Sequence, residues 1–180
     1  FFSAEEAQSL QRSMGWNMME DAGRGWRYIV PSPRPRSILE LDLISFLMAQ
    51  GVVVIAAGGG GIPMVHRADG SYAGVPAVVD KDLTSALLAN QLDADTLLIL
   101  TAVQKVSIRF GKPDAQPLDR VSATELAEYR KEGHFAKGSM GPKVDAALNF
   151  LAGGGRGALV AHLDQAAAAS AGTAGTQLSA

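Results

Sequence analysis

Two lysines in this chain stand where helix electrostatics disfavours them. Lys81 lies in Val79-Asp80-Lys81-Asp82-Leu83, at the predicted N-terminus of a helix over Leu83–Leu92. Lys143 follows Gly138-Ser-Met140-Gly-Pro142, with Pro142 predicted at the first helical position. A helix N-terminus carries about half a positive charge, so a cation there forfeits about 0.3–1 kcal/mol. A sequence tuned for stability alone places acids at such positions. The two placements make sense if an anion such as a polyphosphate bridges helix end and ammonium group. Asp82, between the two ammonium groups, then holds them at fixed positions, an organiser rather than a base. Phosphoryl transfer asks little more of a protein than such positioning and charge neutralisation. Either lysine alone is better read as solvated, with Asp80 and Asp82 as ordinary caps; both beside a glycine-rich loop are not.

That loop is Gly58, Gly59, Gly60 and Gly61, directly after Val52-Val-Val-Ile-Ala-Ala57. The β-branched run reads as a strand buried on both faces, as in a parallel sheet. Successive glycines at its end suit close backbone approach, often to a phosphate held by main-chain N–H groups. Taken alone, the run supports a mobile turn equally well. It matches neither Gly-x-x-x-x-Gly-Lys-Ser/Thr nor Gly-x-Gly-x-x-Gly opening a helix.

The elements that must position these groups follow from pattern. Ser3-Ala-Glu-Glu6 is a capping box predicting a helix over Ala4–Met14, stopped by Gly15. Trp26–Val30 reads as a strand ended by Pro31, Pro33 and Pro35. Ile38, Leu41, Leu43, Ile44 and Leu47 predict a helix closed by Gly51, and Val65–Val79 a hairpin around Asp69-Gly70. In the Leu83–Leu92 helix, Leu83, Leu87 and Leu88 share a face. Thr96–Val103 and Ser107–Phe110 read as strands. Ser122-Ala-Thr-Glu125 is a second capping box, with Val121 and Leu126 as its hydrophobic staple. The Lys143 helix presents Val144, Ala147, Leu148 and Leu151, and Ala158–Ala161 is a strand. The alanine-rich end is expected to fray, with Gly175–Leu178 as an edge strand. Strands alternating with helices indicate an α/β sheet covered on both faces.

Composition excludes several classes. The 180 residues are 47% hydrophobic and carry a net charge of −2, with no long basic tract, which argues against a nucleic-acid partner. No apolar stretch of membrane-spanning length and no signal peptide is visible. The absence of cysteine excludes disulfides and thiolate metal sites and fits a cytoplasmic enzyme. His66, His134 and His162 lack a second ligand at metal spacing and read as structural or surface residues, so no metal ligand is assigned. Asp21-Ala-Gly-Arg-Gly-Trp-Arg27 reads as a tight turn with an Arg–Asp pair rather than a substrate contact. Nothing favours a covalent hydrolase. The opening Phe1-Phe2-Ser3, without an initiating Met, suggests a chain that has lost its beginning.

Seven blocks occur in order: Glu20-Asp-Ala-Gly-Arg-Gly-Trp-Arg27, Val30-Pro-Ser-Pro33, Gly58-Gly-Gly-Gly-Ile-Pro63, Val79-Asp-Lys-Asp82, Ile99-Leu-Thr-Ala-Val103, Phe110-Gly-Lys-Pro113 and Glu132-Gly-His-Phe-Ala-Lys-Gly-Ser-Met140. In order and spacing they resemble the carbamate kinases, members of the amino-acid kinase superfamily, over nearly the whole chain. The resemblance implies a three-layer αβα sandwich, a homodimer, and the reversible reaction of ATP with carbamate giving ADP and carbamoyl phosphate, usually run toward ATP in arginine fermentation. It implies Mg²⁺-nucleotide binding by the C-terminal lobe. Lys81 and Lys143 then lie near the phosphates and Asp82 organises them. Asp80, Gly58–Gly61, Leu100, Thr101, Val103 and Met140 line the nucleotide.

Two departures bear on this expectation. The family's first strand with its Gly-Gly-Asn-Ala loop, a second glycine loop, and a lysine in a Lys-Pro-Ile-Gly-Pro stretch are absent from these residues. Met19 stands where the family commonly has Lys. Residues 1–36 are therefore expected to be the remnant of a protruding subdomain and return strand, residues 37–180 the nucleotide-binding lobe, and the isolated chain inactive. Loss of the first lobe is also expected to bare apolar surface and lower solubility. Two other readings stay open. One is a related superfamily kinase with another acceptor, against which the Glu-Gly-His-Phe and Asp-Ala-Gly-Arg-Gly-Trp blocks argue. The other is a non-catalytic nucleotide-binding or oligomerisation module.

Overall fold

Capping chemistry sets the first element. In the computed structural model, which describes residues 1–21 and 23–180, helix α1 spans Ala4–Met14. The Ser3 hydroxyl accepts from the Glu6 N–H, the Glu6 carboxylate accepts from the Ser3 N–H, and Gly15 closes the helix at φ +65°. Strands β1 (Met18–Glu20) and β2 (Trp26–Tyr28) pair antiparallel, Met18 opposite Tyr28. Arg24 pairs with Asp21 at 2.8 Å in their turn, as an Arg–Asp turn requires, although Ala22 of that block lies outside the described residues. Helix α2 covers Leu41–Ala49, β3 Met64–His66 and β4 Tyr72–Gly74. The last two form the hairpin expected around Asp69-Gly70, with Gly70 at φ +84°. Two compact units result: Phe1–Pro33 with Ile62–Val78, and Arg34–Gly61 with Val79–Ala180.

The second unit contains helix α3 (Lys81–Gln91), strand β5 (Thr96–Thr101), and a short hairpin of β6 (Ser107–Ile108) and β7 (Gln116–Pro117). Strand β8 (Arg120–Ser122), helix α4 (Ala123–Lys131), helix α5 (Met140–Ala152), strand β9 (Gly157–His162), helix α6 (Ala166–Ser170) and strand β10 (Thr176–Ser179) follow. Its mixed sheet has the order β5-β9-β10-β8, with β9 parallel to β5 and β10 antiparallel to β9 but parallel to β8. Leu97 and Ile99 of β5, Ala158 and Val160 of β9 and Leu178 of β10 meet Val144, Ala147, Phe150 and Leu151 of α5 in one apolar core. Ala161, of opposite parity on β9, is also buried, and α6 packs against β9 and β5. The architecture is mixed α/β, as the alternation of elements indicates.

The staple residues Val121 and Leu126 are both buried beside the second capping box, where Ser122 and Glu125 bond reciprocally. Fully burying a side chain such as Leu126 or Phe150 contributes about 1.5–3 kcal/mol each.

Three expectations are corrected. Val52–Ala57 joins no strand among the described residues, and Val53 and Ile55 are 91% and 97% exposed. β-propensity measures fit to a partner, and no strand of this unit pairs with the run. Gly175–Leu178 is not an edge: β10 lies between β9 and β8. Thr176 secures it there, its buried hydroxyl accepting from the Val106 N–H at 2.9 Å and donating to the Leu118 carbonyl at 2.6 Å. Helix α3 buries Asp82, Thr84 and Ala86 most deeply, with Leu83, Leu87 and Leu88 half-buried and Leu83 packed against the core. It packs on α5 through small residues such as Ala86, Ala146 and Ala147, which let the two backbones approach. Pro142 is the third helical residue rather than the first, because none of the first four helical positions needs its N–H.

Candidate functional site

The charged cluster is built at the start of α3. Asp80 is its N-cap, its carboxylate accepting from the N–H groups of Asp82 at 2.8 Å and Leu83 at 3.2 Å. Asp80 thus does the ordinary capping work, which leaves the Asp82 side chain free to turn elsewhere. It turns inward: Asp82 accepts from the Lys143 ammonium at 2.8 Å across 61 positions of sequence. Their side chains are only 9% and 13% exposed. Lys81, the first helical residue, brings its ammonium within 3.7 Å of the same carboxylate oxygen but stays 57% exposed. One carboxylate therefore sits between two ammonium groups beside a helix N-terminus whose cap is Asp80, and the Lys81 cation stays open to solvent.

The glycine-rich loop is tied to the same helix start. Gly60 is buried at φ +135°, and a Cβ there would lie 1.9 Å from the Val79 carbonyl oxygen and 3.3 Å from the Lys81 nitrogen. No side chain fits, so glycine is required by backbone packing at that position. Gly58, Gly59 and Gly61 face open space. Thr84 supplies the tie that sequence reasoning missed. Its buried hydroxyl donates to the Gly60 carbonyl at 2.8 Å and also lies 3.1 Å from the Asp80 carbonyl. The signal was only half present in sequence: a threonine four residues after an N-cap can bond back along its own helix, but nothing marks the second, long-range acceptor.

The structure thus brings together Gly60, Asp80, Lys81, Asp82 and Lys143. Leu100 and Thr101 end β5 half-buried, and Val103 is half-buried in the turn that follows. Met140 opens α5 and packs against the apolar core. None of these four bonds to the charged cluster. The histidines each have local company: His134 lies 3.0 Å from the Glu132 carboxylate, His162 accepts from the Asp164 N–H, and the His66 ring lies tilted against Tyr72 with centroids 5.0 Å apart. Among the described residues no group of three or more potential ligands could hold a metal ion. A hollow of about 250 Å³ lined by Ile44, Met48, Val54, Ala57, Leu88 and Leu92 carries no titratable side chain and offers no chemistry. No helix is long and apolar enough to cross a membrane among the described residues.

A mixed α/β unit with a lysine–aspartate–lysine cluster at a helix start and a glycine loop bound to it defines a class. Residues 5–162 match the Amino acid kinase family, and the chain belongs to that family. Carbamate kinase of Thermococcus kodakarensis is 48% identical over 178 residues, 99% of this chain and 56% of that protein. Carbamate kinase-like protein YahI of Escherichia coli is 48% identical over 179 residues, 99% of this chain and 57% of that protein. A solved structure, carbamate kinase from Giardia lamblia bound to AMP-PNP, is similar with a TM-score of 0.92 and 43% identity, covering 99% of this chain and 57% of that one. The chain spans a little over half the length of the relatives it matches.

Proposed function

We propose that these residues are the nucleotide-handling part of a carbamate kinase, which transfers a phosphoryl group reversibly between ATP and carbamate, giving ADP and carbamoyl phosphate. The observation that carries the reading is the Lys143–Asp82–Lys81 arrangement at the start of α3. Lys81 is the exposed cation and meets the phosphates, Lys143 is held on Asp82 and neutralises charge that develops on the transferring group, and Asp82 keeps both in place. Gly59 and Gly61 offer main-chain N–H groups without side chains, the Gly58 N–H being donated to the Ala56 carbonyl at 2.8 Å while Gly58 itself adds no bulk to the loop, and Leu100, Thr101, Val103 and Met140 take the nucleoside end. The magnesium ion is part of the Mg²⁺-nucleotide substrate. The described residues offer no carboxylate cluster for a resident ion, and magnesium is commonly bound through substrate phosphates. Arg34–Gly61 with Val79–Ala180 would form this nucleotide lobe, and Phe1–Pro33 with Ile62–Val78 would belong to the protruding subdomain. The full-length enzyme would be a cytoplasmic homodimer with carbamate and carbamoyl phosphate as its other small-molecule partners.

The test is calorimetric titration of the 180-residue chain with Mg²⁺ and AMP-PNP, paired with a luciferase assay for ATP from carbamoyl phosphate and ADP. The expected result is binding without turnover, since no carbamate-holding groups are identified among these residues. A folded chain that ignores AMP-PNP overturns the nucleotide reading. ATP formed by the chain overturns the assignment of the acceptor site elsewhere.

A further inference from the structure

Helix α5 begins without the usual means of fixing its start. Ser139, at the N-cap, makes no side-chain cap bond, and the first turn carries no acidic residue. It is held from outside instead. Arg130, in the last turn of α4, donates from Nε to Asp145 Oδ1 at 2.8 Å and from Nη2 to Oδ2 at 2.9 Å, a two-pronged pair in which both side chains are about three-quarters buried. The bond to Asp145 holds the Arg130 pKa above its ordinary value. The guanidinium also lies over the first turn: a Cβ on Gly141 would sit 3.3 Å from Arg130 Nη2 and 2.8 Å from the Ala136 carbonyl oxygen. Lys143 and Asp145 are two residues apart, about 200° around a helix of 3.6 residues per turn, so they project from nearly opposite sides. Asp82 grips one side of α5 through Lys143 and Arg130 grips the other through Asp145.

We propose that the Arg130–Asp145 pair is a positioning device that fixes the rotation of the start of α5 and thereby seats the Lys143 ammonium on Asp82. A two-pronged guanidinium–carboxylate pair fixes orientation as well as distance, which a single-point lysine contact does not. Arg130 and Asp145 act through Lys143. The functional consequence rests on the nucleotide role proposed above for Lys143, whereas the geometric statement does not.

The test is brief amine acetylation of the 180-residue chain with acetic anhydride, reading Lys143 against Lys81 by mass spectrometry, alongside titration with Mg²⁺ and AMP-PNP. The variants are Arg130→Lys, Asp145→Asn and the exchanged pair Arg130→Asp with Asp145→Arg. Lys143 is 13% exposed and Lys81 57% exposed, so release of Lys143 to the exposure of Lys81 corresponds to a rise of about fourfold in the Lys143-to-Lys81 labelling ratio. We expect a rise of about two- to fourfold in each single variant and a return toward the wild-type ratio in the exchanged pair. An unchanged ratio in a folded Arg130→Lys chain overturns the proposal, and so does a rise that the exchanged pair does not reverse. The two readings fail separately: a wild-type chain that binds no AMP-PNP, together with the labelling shift in the variants, refutes the nucleotide role alone. Binding with an unchanged ratio refutes the positioning role alone.

Discussion

Replacing Asp82 by Asn tests whether one carboxylate organises the two lysines. Asp82 and Lys143 lie 2.8 Å apart with side chains 9% and 13% exposed, far closer to a buried pair than to a surface one. Removing one partner of a buried pair costs about 3–5 kcal/mol, against about 0–1 kcal/mol at an exposed site. The asparagine carbonyl keeps an acceptor for Lys143, but the favourable acid at the helix start is lost, a further ~0.3–1 kcal/mol. We expect a loss of about 3 kcal/mol. With an m-value of about 2 kcal/mol per molar urea for a chain of this size, the midpoint falls by ~1.5 M.

Lys143→Met is expected to cost about half as much, because Asp82 keeps the Lys81 ammonium at 3.7 Å and the α3 N-terminus. The double variant is then no worse than Asp82→Asn, which gives a coupling energy of about 1.5 kcal/mol from a urea double-mutant cycle. The coupling should survive in high salt, since a contact this well shielded is screened little. Costs that add to within about 0.5 kcal/mol would refute the pair as an organising element. The calorimetric arm asks a different question. Asp82→Asn makes the cluster more positive, so AMP-PNP affinity should hold or rise, whereas Lys81→Met, at an exposed position, should lower it about tenfold with little change in midpoint. Equal loss of binding in both variants would sink the division of labour between Lys81 and Asp82.

Gly60→Ala puts a methyl 1.9 Å from the Val79 carbonyl at φ +135° and should cost more than about 3 kcal/mol, seen as a collapsed urea midpoint. Gly59→Ala, with nothing within 4 Å, should leave the midpoint within about 1 kcal/mol and change only AMP-PNP affinity. The Glu125 carboxyl is held below its ordinary value of 4.5, first by the Ser122 hydroxyl and then by the Ser122 N–H. A lowered folded-state pKa stabilises above the unfolded value and loses that contribution as pH falls through the folded one. The Tm advantage of wild type over Glu125→Gln should therefore be constant near neutral pH and shrink below 4.5. An advantage that persists in stronger acid would contradict it.

Local chemistry was legible in the sequence, and partnership was not. Both capping boxes, the Gly15 stop and the Asp69-Gly70 hairpin depend on residues within a few positions of each other, and each stands as read. The lysines at helix starts were legible for the same reason, since dipole arguments need only the helix boundary. What failed was whatever a distant partner decides. Val52-Val-Val-Ile55 has the composition of a buried strand but meets no ladder among the described residues. Thr176-Gln-Leu-Ser179 looks marginal and becomes an interior strand because a threonine hydroxyl reaches Val106 and Leu118. Thr84–Gly60 and Arg130–Asp145 are 24 and 15 positions apart, with no local pattern to announce them.

The glycine run shows how one sequence signal can carry two demands. Read as a sequence, four glycines suggest backbone held close to a phosphate. Gly60 is instead required by the chain itself, because the Val79 carbonyl and the Lys81 nitrogen occupy the space a side chain would need. That contact, with the Thr84 hydroxyl on the Gly60 carbonyl, fixes the loop to the helix start that carries Lys81 and Asp82. Gly58, Gly59 and Gly61 meet nothing, so close packing within the chain does not explain their lack of side chains. Positive φ accounts for Gly58 at +49° and Gly61 at +91°, both costly for a side chain. Gly59 has neither constraint. An alanine at that one position therefore separates the demand of the fold from the demand of the proposed nucleotide site.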